Sequence, residues 1–547
     1  MLGLMQRQPL LISSLLAFAA RHHGDAEIVS DTVEGPRHRY TYREVEVRAR
    51  RLARALDALG VRPGDRVGTL ARNGYRHLEL YFAVPGMGAV LHTVNPRLFE
   101  EQVAYIIDDA EDRVLFADLT FVPLVERVLG RHHLPDALVV MSDRAHLPEV
   151  RLPSGMALHA YEDLLAAAAD DFDWPELDEE QASGLCDTSG TTGHPKGVLY
   201  SHRSTVLQTY ASALPDVFCL RAVDRVLPVV AMFHVNAWRI PYAAAMVGAG
   251  LVLAGAKADG ASLHGLIASE RVTFAAAVPT VWLGLVQHLR ASGGRLDGLQ
   301  RACVGGAACP QALLTALRDE LGLEVAQGWG MTETSAAGAY NRPGPADAAS
   351  AGPASNGLGL KQGRALFGTD RRIVDAEGRD LPWDGFTAGE LLVRGPRVCR
   401  RHYRAERDAV DAEGWFRTGD VATIDPAGHL EITDRAKDLS RPGGEWIRSL
   451  ELENVAMSHP DVAEAAVIAA KHPRWGERPL LLVVPKPERQ PDPEGLRAWY
   501  RGRVASMSVP DAALLVCELP HTATGKLLKT ALRDQYGDYY LRPSQGS

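Results

Sequence analysis

The chain has 547 residues, of which 46% are hydrophobic and 23% charged, and its formal net charge is -9 at pH 7. At roughly 150 residues per domain this length corresponds to about three or four units, although a large α/β domain can absorb several of them. The ordinary apolar fraction excludes a largely disordered or fibrous protein. The weakly acidic balance argues against a dedicated nucleic-acid binder, which would carry a basic footprint.

The cysteines and the N-terminal segment bear on the compartment of the protein. The six cysteines form no C-x-x-C pair, so the sequence predicts neither a zinc site nor a disulfide framework. The apolar run from Leu10 to Ala20 imitates a signal peptide, but Ser13 and Ser14 interrupt it, and we predict that one of them caps a first helix. The inward-facing side chains of this helix are predicted to be Leu15, Leu16 and Phe18. No apolar run approaches the roughly 20 residues of a membrane span, so we expect a cytoplasmic protein.

Short apolar runs alternate with helical patterns over most of the chain. The buried strands predicted from these runs are Arg66 to Leu70, Leu138 to Met141, Leu251 to Ala254, Phe274 to Val278 and Ala302 to Val304. Between them, Tyr42 to Leu59 keeps its apolar residues on one helical face and is followed by Gly60, a residue typical of helix C-termini. This alternation predicts an α/β fold with mainly parallel sheets that carry helices on both faces.

The last third of the chain has a different pattern. Asn341 to Asn356 is rich in Ala, Gly, Pro and Ser and is predicted to be a loop. Leu391 to Arg394 and Leu430 to Thr433 are predicted strands of a β-rich subdomain. From about Leu439 the chain is long enough for a separate small α+β domain. The elements predicted there are helices at Ser449 to His459, Pro493 to Val504 and from near Leu527, and strands at Ala465 to Ala469, Leu480 to Val484 and Ala513 to Val516.

The most specific short motif is the run TSGTTGHPKG from Thr188 to Gly197. Its glycines let the backbone approach a ligand closely, while hydroxyls, free N–H groups and a lysine offer donors to phosphate oxygens. The spacing matches neither a Walker P-loop nor G-x-G-x-x-G. A Gly/Thr-rich surface turn is the alternative, but the density of hydroxyls beside a lysine argues against it. The predicted phosphate-binding residues are Thr188, Ser189, Gly190, Thr191, Thr192, Gly193 and Lys196.

Four more motifs follow along the chain: GWGMTET from Gly328, GWFRTGD from Gly414, DRAKD from Asp434 and PHTATGK from Pro520. Together with the phosphate loop, they resemble in order and register the signatures of the adenylate-forming superfamily, which includes acyl-CoA synthetases, luciferases and peptide-synthetase adenylation domains. The resemblance covers nearly the whole chain. It is strongest to bacterial medium- and long-chain fatty-acyl-CoA ligases and 3-methylmercaptopropionyl-CoA ligases, which share runs such as MFHVNAW from Met232.

This resemblance implies a fold and a reaction. The fold is α/β, with a large N-terminal domain at residues 1–434 that comprises two α/β sheet subdomains and a β-rich subdomain. A hinge at residues 435–438 leads to a small mobile α+β lid domain at residues 439–547. In the implied reaction an acid attacks ATP in the presence of Mg²⁺ and gives an acyl-adenylate and pyrophosphate, and the acyl group then passes to CoA. The resemblance also implies a homodimer.

The resemblance further implies roles for single residues. Thr188 and Glu333 are expected to hold the magnesium, and Asp420, assisted by Arg435, to accept hydrogen bonds from the ribose hydroxyls. Lys526 is expected to bridge the reacting carboxylate and phosphate as charge develops. Trp329 would offer a stacking surface to adenine. The other residues expected beside the nucleotide and acyl group are Gly305, Gly306, Ala307, Gly330, Met331 and Thr332.

The acid pocket and the CoA face are assigned in the same way. The tryptophan matching Trp238 gates the acyl tunnel of the relatives, the histidine matching His234 lies near the carboxylate, and Val235 and Arg239 flank this pocket. Lys437 would be the hinge residue. The face that admits pantetheine would contain Gly443, Gly444 and Glu445. The predicted catalytic residues are Lys526, Glu333, His234 and Lys196.

The chain departs from the family pattern at several positions. Asp187 stands just before the phosphate loop, where a carboxylate is unfavourable unless it faces a cation or points away. Arg239 follows the gate tryptophan and, if it points inward, would bind a second anionic group. Ser440 to Pro442 and Arg448 change the loop that receives pantetheine, and His521 replaces an arginine near the catalytic lysine.

These departures leave two alternatives to the CoA ligase. One is an ATP-dependent diazotase that adenylates nitrite and delivers it to an aryl amine without CoA, because both the acyl side and the thioester side are changed. The other, a catalytically inactive interaction protein, is the weakest of the three. It is disfavoured because Lys526, Asp420, Arg435 and Glu333 are all present.

Overall fold

The computed structural model of the protein describes residues 1, 3–129, 133–188, 194–342, 359–435, 449–504, 506–521 and 527–541. The loop predicted between Asn341 and Asn356 therefore lies almost entirely outside the described residues. Within them, no helix is long and apolar enough to cross a membrane.

The first large sheet has seven strands, parallel except for the last pair. In spatial order they are Ala157–Ala160, Ala137–Val140, Asp112–Ala117, Arg66–Leu70, Val90–Thr93, Ala182–Asp187 and Gly197–Ser201. The inner strands are buried on both faces, which explains why they read as unbroken apolar runs.

The second large sheet has nine strands, with a parallel centre and antiparallel pairs at both edges. In spatial order they are Arg364–Ala365, Ala336–Tyr340, Glu324–Met331, Arg301–Val304, Phe274–Ala277, Arg225–Pro228, Gly250–Leu253, Glu27–Ser30 and His38–Thr41. The five strands predicted in this part and in the first sheet all exist, with ends shifted by at most one residue.

The α-helices pack between and outside these two sheets. They are Ile12–His22, Tyr42–Ala58, Tyr75–Gly86, Glu100–Ala110, Val122–Val128, Tyr161–Ala167, His202–Ala213, Ile240–Val247, Gly260–Glu270, Pro279–Ser292 and Gln311–Thr315. The largest core joins the facing sides of both sheets through the helices Ile12–His22, Tyr42–Ala58 and Tyr75–Gly86. Two further cores cover the outer faces of the sheets. The chain thus alternates helix and sheet layers, as predicted from its alternating pattern.

Helix boundaries follow local chemistry. The helix Tyr42–Ala58 begins with a capping box, in which Thr41 and Glu44 bond to each other's backbone N–H groups. The first helix begins at Ile12 without a side-chain cap, so the predicted cap at Ser13 or Ser14 is wrong. Leu15 and Leu16 are buried as predicted, but Phe18 is 44% exposed, because it lies off the stripe that they share with Ile12.

The rest of the chain forms a β-rich subdomain and a small C-terminal α+β unit. The antiparallel sheet of the subdomain contains, in order, Asp370–Val374, Gly389–Arg394, Phe416–Ile424 and Leu430–Arg435. The C-terminal unit contains the strands Val462–His472, Gly476–Pro485 and Ala512–Leu515 and the helices Ser449–Met457, Pro493–Trp499 and Lys529–Tyr536. The predicted helix from Pro493 to Val504 ends early, at Trp499, and Gly502, with a positive φ of 74°, lies in the turn that follows. The predicted α/β fold class is confirmed.

Candidate active site

The predicted site residues lie where parallel strands of both large sheets end. Thr188 follows Ala182–Asp187, Gly305 follows Arg301–Val304, and Thr332 follows Glu324–Met331. Ligands of open α/β sheets bind beyond these carboxyl ends. Two contacts join the sheets here: the Tyr200 hydroxyl donates to the Thr332 carbonyl at 2.7 Å, and the Cys186 thiol lies 3.6 Å from Asn236 Oδ1.

The base of the phosphate loop is a short hairpin. The Thr188 N–H donates to the Lys196 carbonyl at 2.9 Å, and the Lys196 N–H donates to Thr188 Oγ1 at 3.2 Å. The Lys196 side chain is exposed, which leaves its ammonium group accessible to a ligand. Ser189 to Gly193, the predicted tip of the loop, lie outside the described residues.

A buried charge cluster lies directly beneath this hairpin. His92 Nε2 is 2.9 Å from Asp187 Oδ2, and His92 Nδ1 is 2.8 Å from Asp112 Oδ2. Burial alone would lower the pKa of His92, but the charges and hydrogen bonds of Asp112 and Asp187 outweigh it and raise this pKa to about 10. The imidazolium therefore explains why a carboxylate is tolerated at position 187. The Asp187 carboxylate faces a cation, which is one of the two conditions named in the prediction from the sequence.

The acid-gate segment, Val235 to Arg239, has an unusual backbone. All five residues have positive φ, between 44° and 66°. A left-handed turn costs roughly 1–2 kcal/mol per non-glycine residue, so the surrounding structure must hold it in place. One support is Asn236, whose Nδ2 is 3.3 Å from the Tyr81 hydroxyl and whose Oδ1 accepts from Arg239 Nη1. His234 is half-buried at the start of this segment.

Trp238 lies against the glycine pair that follows a central strand. A Cβ atom on Gly305 would approach Trp238 Cη2 to 2.8 Å, too close for any side chain. Gly306 has a φ of 81°, a conformation that favours glycine. The ring of Trp238 is half-buried. The structure thus brings together the predicted gate and the predicted Gly305-Gly306-Ala307 turn.

On the nucleotide side, Trp329 supports Asp420. The indole N–H donates to Asp420 Oδ2 at 2.9 Å, and both side chains are buried, at 9% and 6% exposure. The Trp329 ring also packs over Gly338, where a Cβ atom would approach it to 2.7 Å. With its N–H and one part of its ring engaged in this way, Trp329 positions Asp420. In the strand register, Arg435 stands opposite Asp420 on the adjacent strand.

The second signature forms a bulge followed by a short turn. The strand register shifts between Trp329 and Gly330, and a Cβ atom on Gly330 would collide with the backbone of Ala336 at 1.5 Å. Met331 ends this strand and Thr332 begins the turn. Glu333 is buried, with Oε1 3.3 Å from His402 Nε2.

Thr188 and Glu333 suit the ion that the resemblance implies. A threonine hydroxyl and one carboxylate are hard oxygen donors, and Mg²⁺ is commonly held by one or two carboxylates together with the substrate's phosphates. In the part of the chain that the structure describes, no cluster of three or more His, Cys, Asp or Glu forms a separate metal site.

Several predicted residues cannot be placed. Lys437, Gly443, Gly444, Glu445 and Lys526 lie outside the described residues, as do Ser440 to Pro442 and Arg448. One hydrogen bond links the two sides of the hinge segment: the Ser449 N–H donates to Asp434 Oδ2 at 2.9 Å. His521 Nε2 donates to Glu464 Oε1 at 2.6 Å, and this hydrogen bond raises the pKa of His521.

Four residues of the site region were not predicted from the sequence: His92, Asp112, Tyr200 and Asn236. A signal for His92 existed, since it is a polar residue inside the apolar strand Val90–Thr93 and Asp187 required a cation. No such signal marked Asp112, because its partner lies on another strand. Tyr200 resembled any aromatic residue of a buried strand.

Comparison with known proteins places the chain in a family. The AMP-binding enzyme family matches residues 16–403, and the AMP-binding enzyme C-terminal domain matches residues 451–526. A medium-chain-fatty-acid–CoA ligase from Ectopseudomonas oleovorans is 47% identical over 544 residues, 100% of this chain and 99% of the relative. A 3-methylmercaptopropionyl-CoA ligase from Ruegeria pomeroyi is 48% identical over 538 residues, 98% of this chain and 99% of the relative.

Solved structures share the fold. An anthranilate CoA ligase in complex with anthranoyl-AMP has a TM-score of 0.85 at 24% identity, covering 98% of this chain and 100% of that one, a likeness that shows the fold alone. The comparisons favour CoA as the acceptor and do not favour the diazotase alternative. ATP, Mg²⁺ and CoA are the reactants and cofactor of these ligases. The chain belongs to the adenylate-forming superfamily of AMP-binding enzymes and is an AMP-forming acyl-CoA ligase.

Proposed function

We propose that the enzyme activates a short- or medium-chain carboxylic acid that enters beside Trp238. The observation that carries this proposal is the contact between Trp238 and Gly305, which supports an acid gate beside the turn predicted to border the acyl group. The relatives named above act on medium-chain fatty acids and on 3-methylmercaptopropionate. The acids of these two relatives are therefore the first substrates to test.

The proposed roles of the residues follow the geometry. Lys196 neutralises phosphate from its exposed position, Thr188 and Glu333 hold the magnesium, and Asp420, held by the Trp329 indole N–H, orients the ribose. His234 lies near the acid. Lys526 completes the site from the C-terminal domain, because a displacement at phosphorus needs positioning and charge neutralisation rather than a protein nucleophile.

We also propose the domain arrangement that the resemblance implies. Residues 1–434 bind ATP and the acid, residues 435–438 form the hinge around Lys437, and residues 439–547 form the lid that alternates between two half-reactions. The two matched family regions, which end at residue 403 and begin at residue 451, support this division. A cytoplasmic location, where ATP and CoA occur, and a homodimer remain predictions.

The experiment that tests the proposed function is a substrate panel. Purified protein is incubated with ATP, Mg²⁺ and one straight-chain acid at a time, with and without CoA, and both pyrophosphate and acyl-CoA are measured. We expect pyrophosphate with several acids and a thioester only with CoA. Nitrite with an aryl amine is included without CoA. Turnover of that pair, with no turnover of any acid, would contradict the proposal and favour the diazotase.

A further inference from the structure

Arg239 is a buried cation whose charge no described contact balances. The residue is 1% exposed. Its Nη1 donates to the neutral side chain of Asn236, and its guanidinium carbon lies 4.3 Å from the centre of the Tyr200 ring. Within the described part of the chain, Nε and Nη2 are buried without a hydrogen-bond partner. Burying a charge with unpaired donors is strongly unfavourable, so a partner is missing.

The two unpaired donors define the shape of that partner. Nε–H and Nη2–H lie on the same edge of the planar guanidinium and point in parallel. This edge is the fork that binds a carboxylate through both oxygens. An apolar chain placed against it would leave both donors and the charge unsatisfied.

The surroundings of Arg239 belong to the active site. Arg239 directly follows Trp238, which covers Gly305. The Tyr200 ring beneath the guanidinium is bonded through its hydroxyl to Thr332, next to Glu333. A group that reaches the Arg239 fork is therefore part of a molecule bound between the acid gate and the second signature.

We propose that the free Nε–Nη2 edge of Arg239 binds a planar anion with two oxygens, supplied by a second carboxylate on the acid. The proposal rests on the proposed function, because it concerns the acid of that same reaction. It names the substrate class as dicarboxylic acids, in which one carboxylate is adenylated and the other is held by Arg239. Arg239 is then a specificity residue, since it touches the part of the acid that does not react.

The test compares matched pairs of acids. Straight-chain dicarboxylates from succinate to sebacate are each compared with the monocarboxylate of equal length, and kcat/KM for pyrophosphate release is measured. For the best pair we expect the wild type to prefer the dicarboxylate by at least about tenfold. R239M, which keeps the length but removes the charge and the fork, should lower kcat/KM for that dicarboxylate about a hundredfold, and R239K should restore part of it. In R239M, the value of kcat/KM for the monocarboxylate should remain unchanged or rise.

A matched control separates specificity from folding. Arg397 is also buried, at 3% exposure, but its described partners are the neutral groups of Gln208, Phe367 and Thr369. R397M should lower the melting temperature and leave the ratio between the two acids unchanged. Nitrite, which has the same planar shape, is tested as a second source of the anion. Nitrite-dependent pyrophosphate release that R239M abolishes would overturn the dicarboxylate proposal, because Arg239 would then hold the reacting anion itself.

Two further results would overturn the proposal, and they differ from a failure of the proposed function. One is a wild type that turns over monocarboxylates as well as dicarboxylates. The other is an R239M variant that changes stability but not the ratio between the acids. In both cases acyl-CoA formation still stands. If no acid gives pyrophosphate under any condition, the proposed function itself fails.

Discussion

At the scale of single residues, His92 shows how one buried cation makes a carboxylate tolerable beside a phosphate loop. His92, Asp112 and Asp187 have almost no exposed side-chain surface. Removing the cation would leave two like charges buried together, and breaking a buried ion pair on one side commonly costs about 3–5 kcal/mol. The His92 cation therefore compensates the carboxylate at the end of the strand that leads into Thr188.

The first prediction concerns this cluster. H92Q should lower the free energy of unfolding by about 3–5 kcal/mol at pH 6, measured by urea denaturation. Because the folded-state pKa of about 10 exceeds the unfolded value of about 6.5, the contribution of His92 is complete below pH 6.5 and is lost as the pH rises through 10. The difference between wild type and variant should shrink over that range. H146Q, at an exposed histidine that pairs with Asp143, is the control. A difference independent of pH would contradict the charged His92.

The second prediction concerns the support of Asp420. W329F keeps the packing but removes the N–H that bonds to Asp420 Oδ2. Losing a hydrogen bond to a charged group should raise the KM for ATP about tenfold, with a smaller effect on the KM for the acid. W282F is the matched control, since Trp282 is buried and donates to the Cys303 carbonyl. Equal KM values for ATP in W329F and wild type would show that Trp329 does not position Asp420.

At the scale of elements, the acid-gate segment is a strained turn held by its neighbours. Its left-handed backbone turns the chain sharply between the strand Arg225–Pro228 and the helix Ile240–Val247. This turn places Trp238 on Gly305 and buries Arg239. The strain is concentrated where the acid is proposed to bind, which is where strained backbone is commonly found.

The third prediction uses two buried alanines with opposite backbone conformations. Ala237 has a φ of 47°, whereas Ala244 lies in the right-handed helix Ile240–Val247, and both are 0% exposed. A237G relieves about 1 kcal/mol of strain and should be neutral or stabilising, whereas A244G should cost about 1 kcal/mol or more. Thermal unfolding of both variants measures the contrast. Equal losses of stability would show that the segment is not strained.

At the scale of the whole molecule, the layers of helix and sheet bring strand ends from two sheets to one place, and we propose that the C-terminal unit completes the site with Lys526. The fourth prediction tests that completion. K526A should reduce pyrophosphate release from acid and ATP at least a hundredfold, because the cation that neutralises the developing charge is lost. Thioester formation from added acyl-adenylate and CoA should persist. K471A, at an exposed lysine paired with Asp538, is the control. Wild-type pyrophosphate release by K526A would contradict the role of Lys526.

The local pattern of the sequence determined much of the fold. The strands Arg66–Leu70 and Phe274–Ala277 could be predicted because strands buried on both faces are apolar almost throughout. The cap of the first helix and the burial of Phe18 were predicted wrongly, because both depend on the residue at which the helix begins and on the face that it buries. The motifs by themselves determined the family and the reaction, since each one keeps its chemistry within a few neighbouring residues.

Only the tertiary structure decided what Asp187 and Arg239 do. Asp187 meets a histidine far away in sequence, and Arg239 turns inward because of the left-handed backbone before it. Neither contact can be predicted from a local sequence pattern, since the energy of a buried charge depends on which groups the fold places around it. The sequence thus specified the reaction through contiguous motifs, whereas the surroundings of single charges depend on contacts that only the folded chain creates.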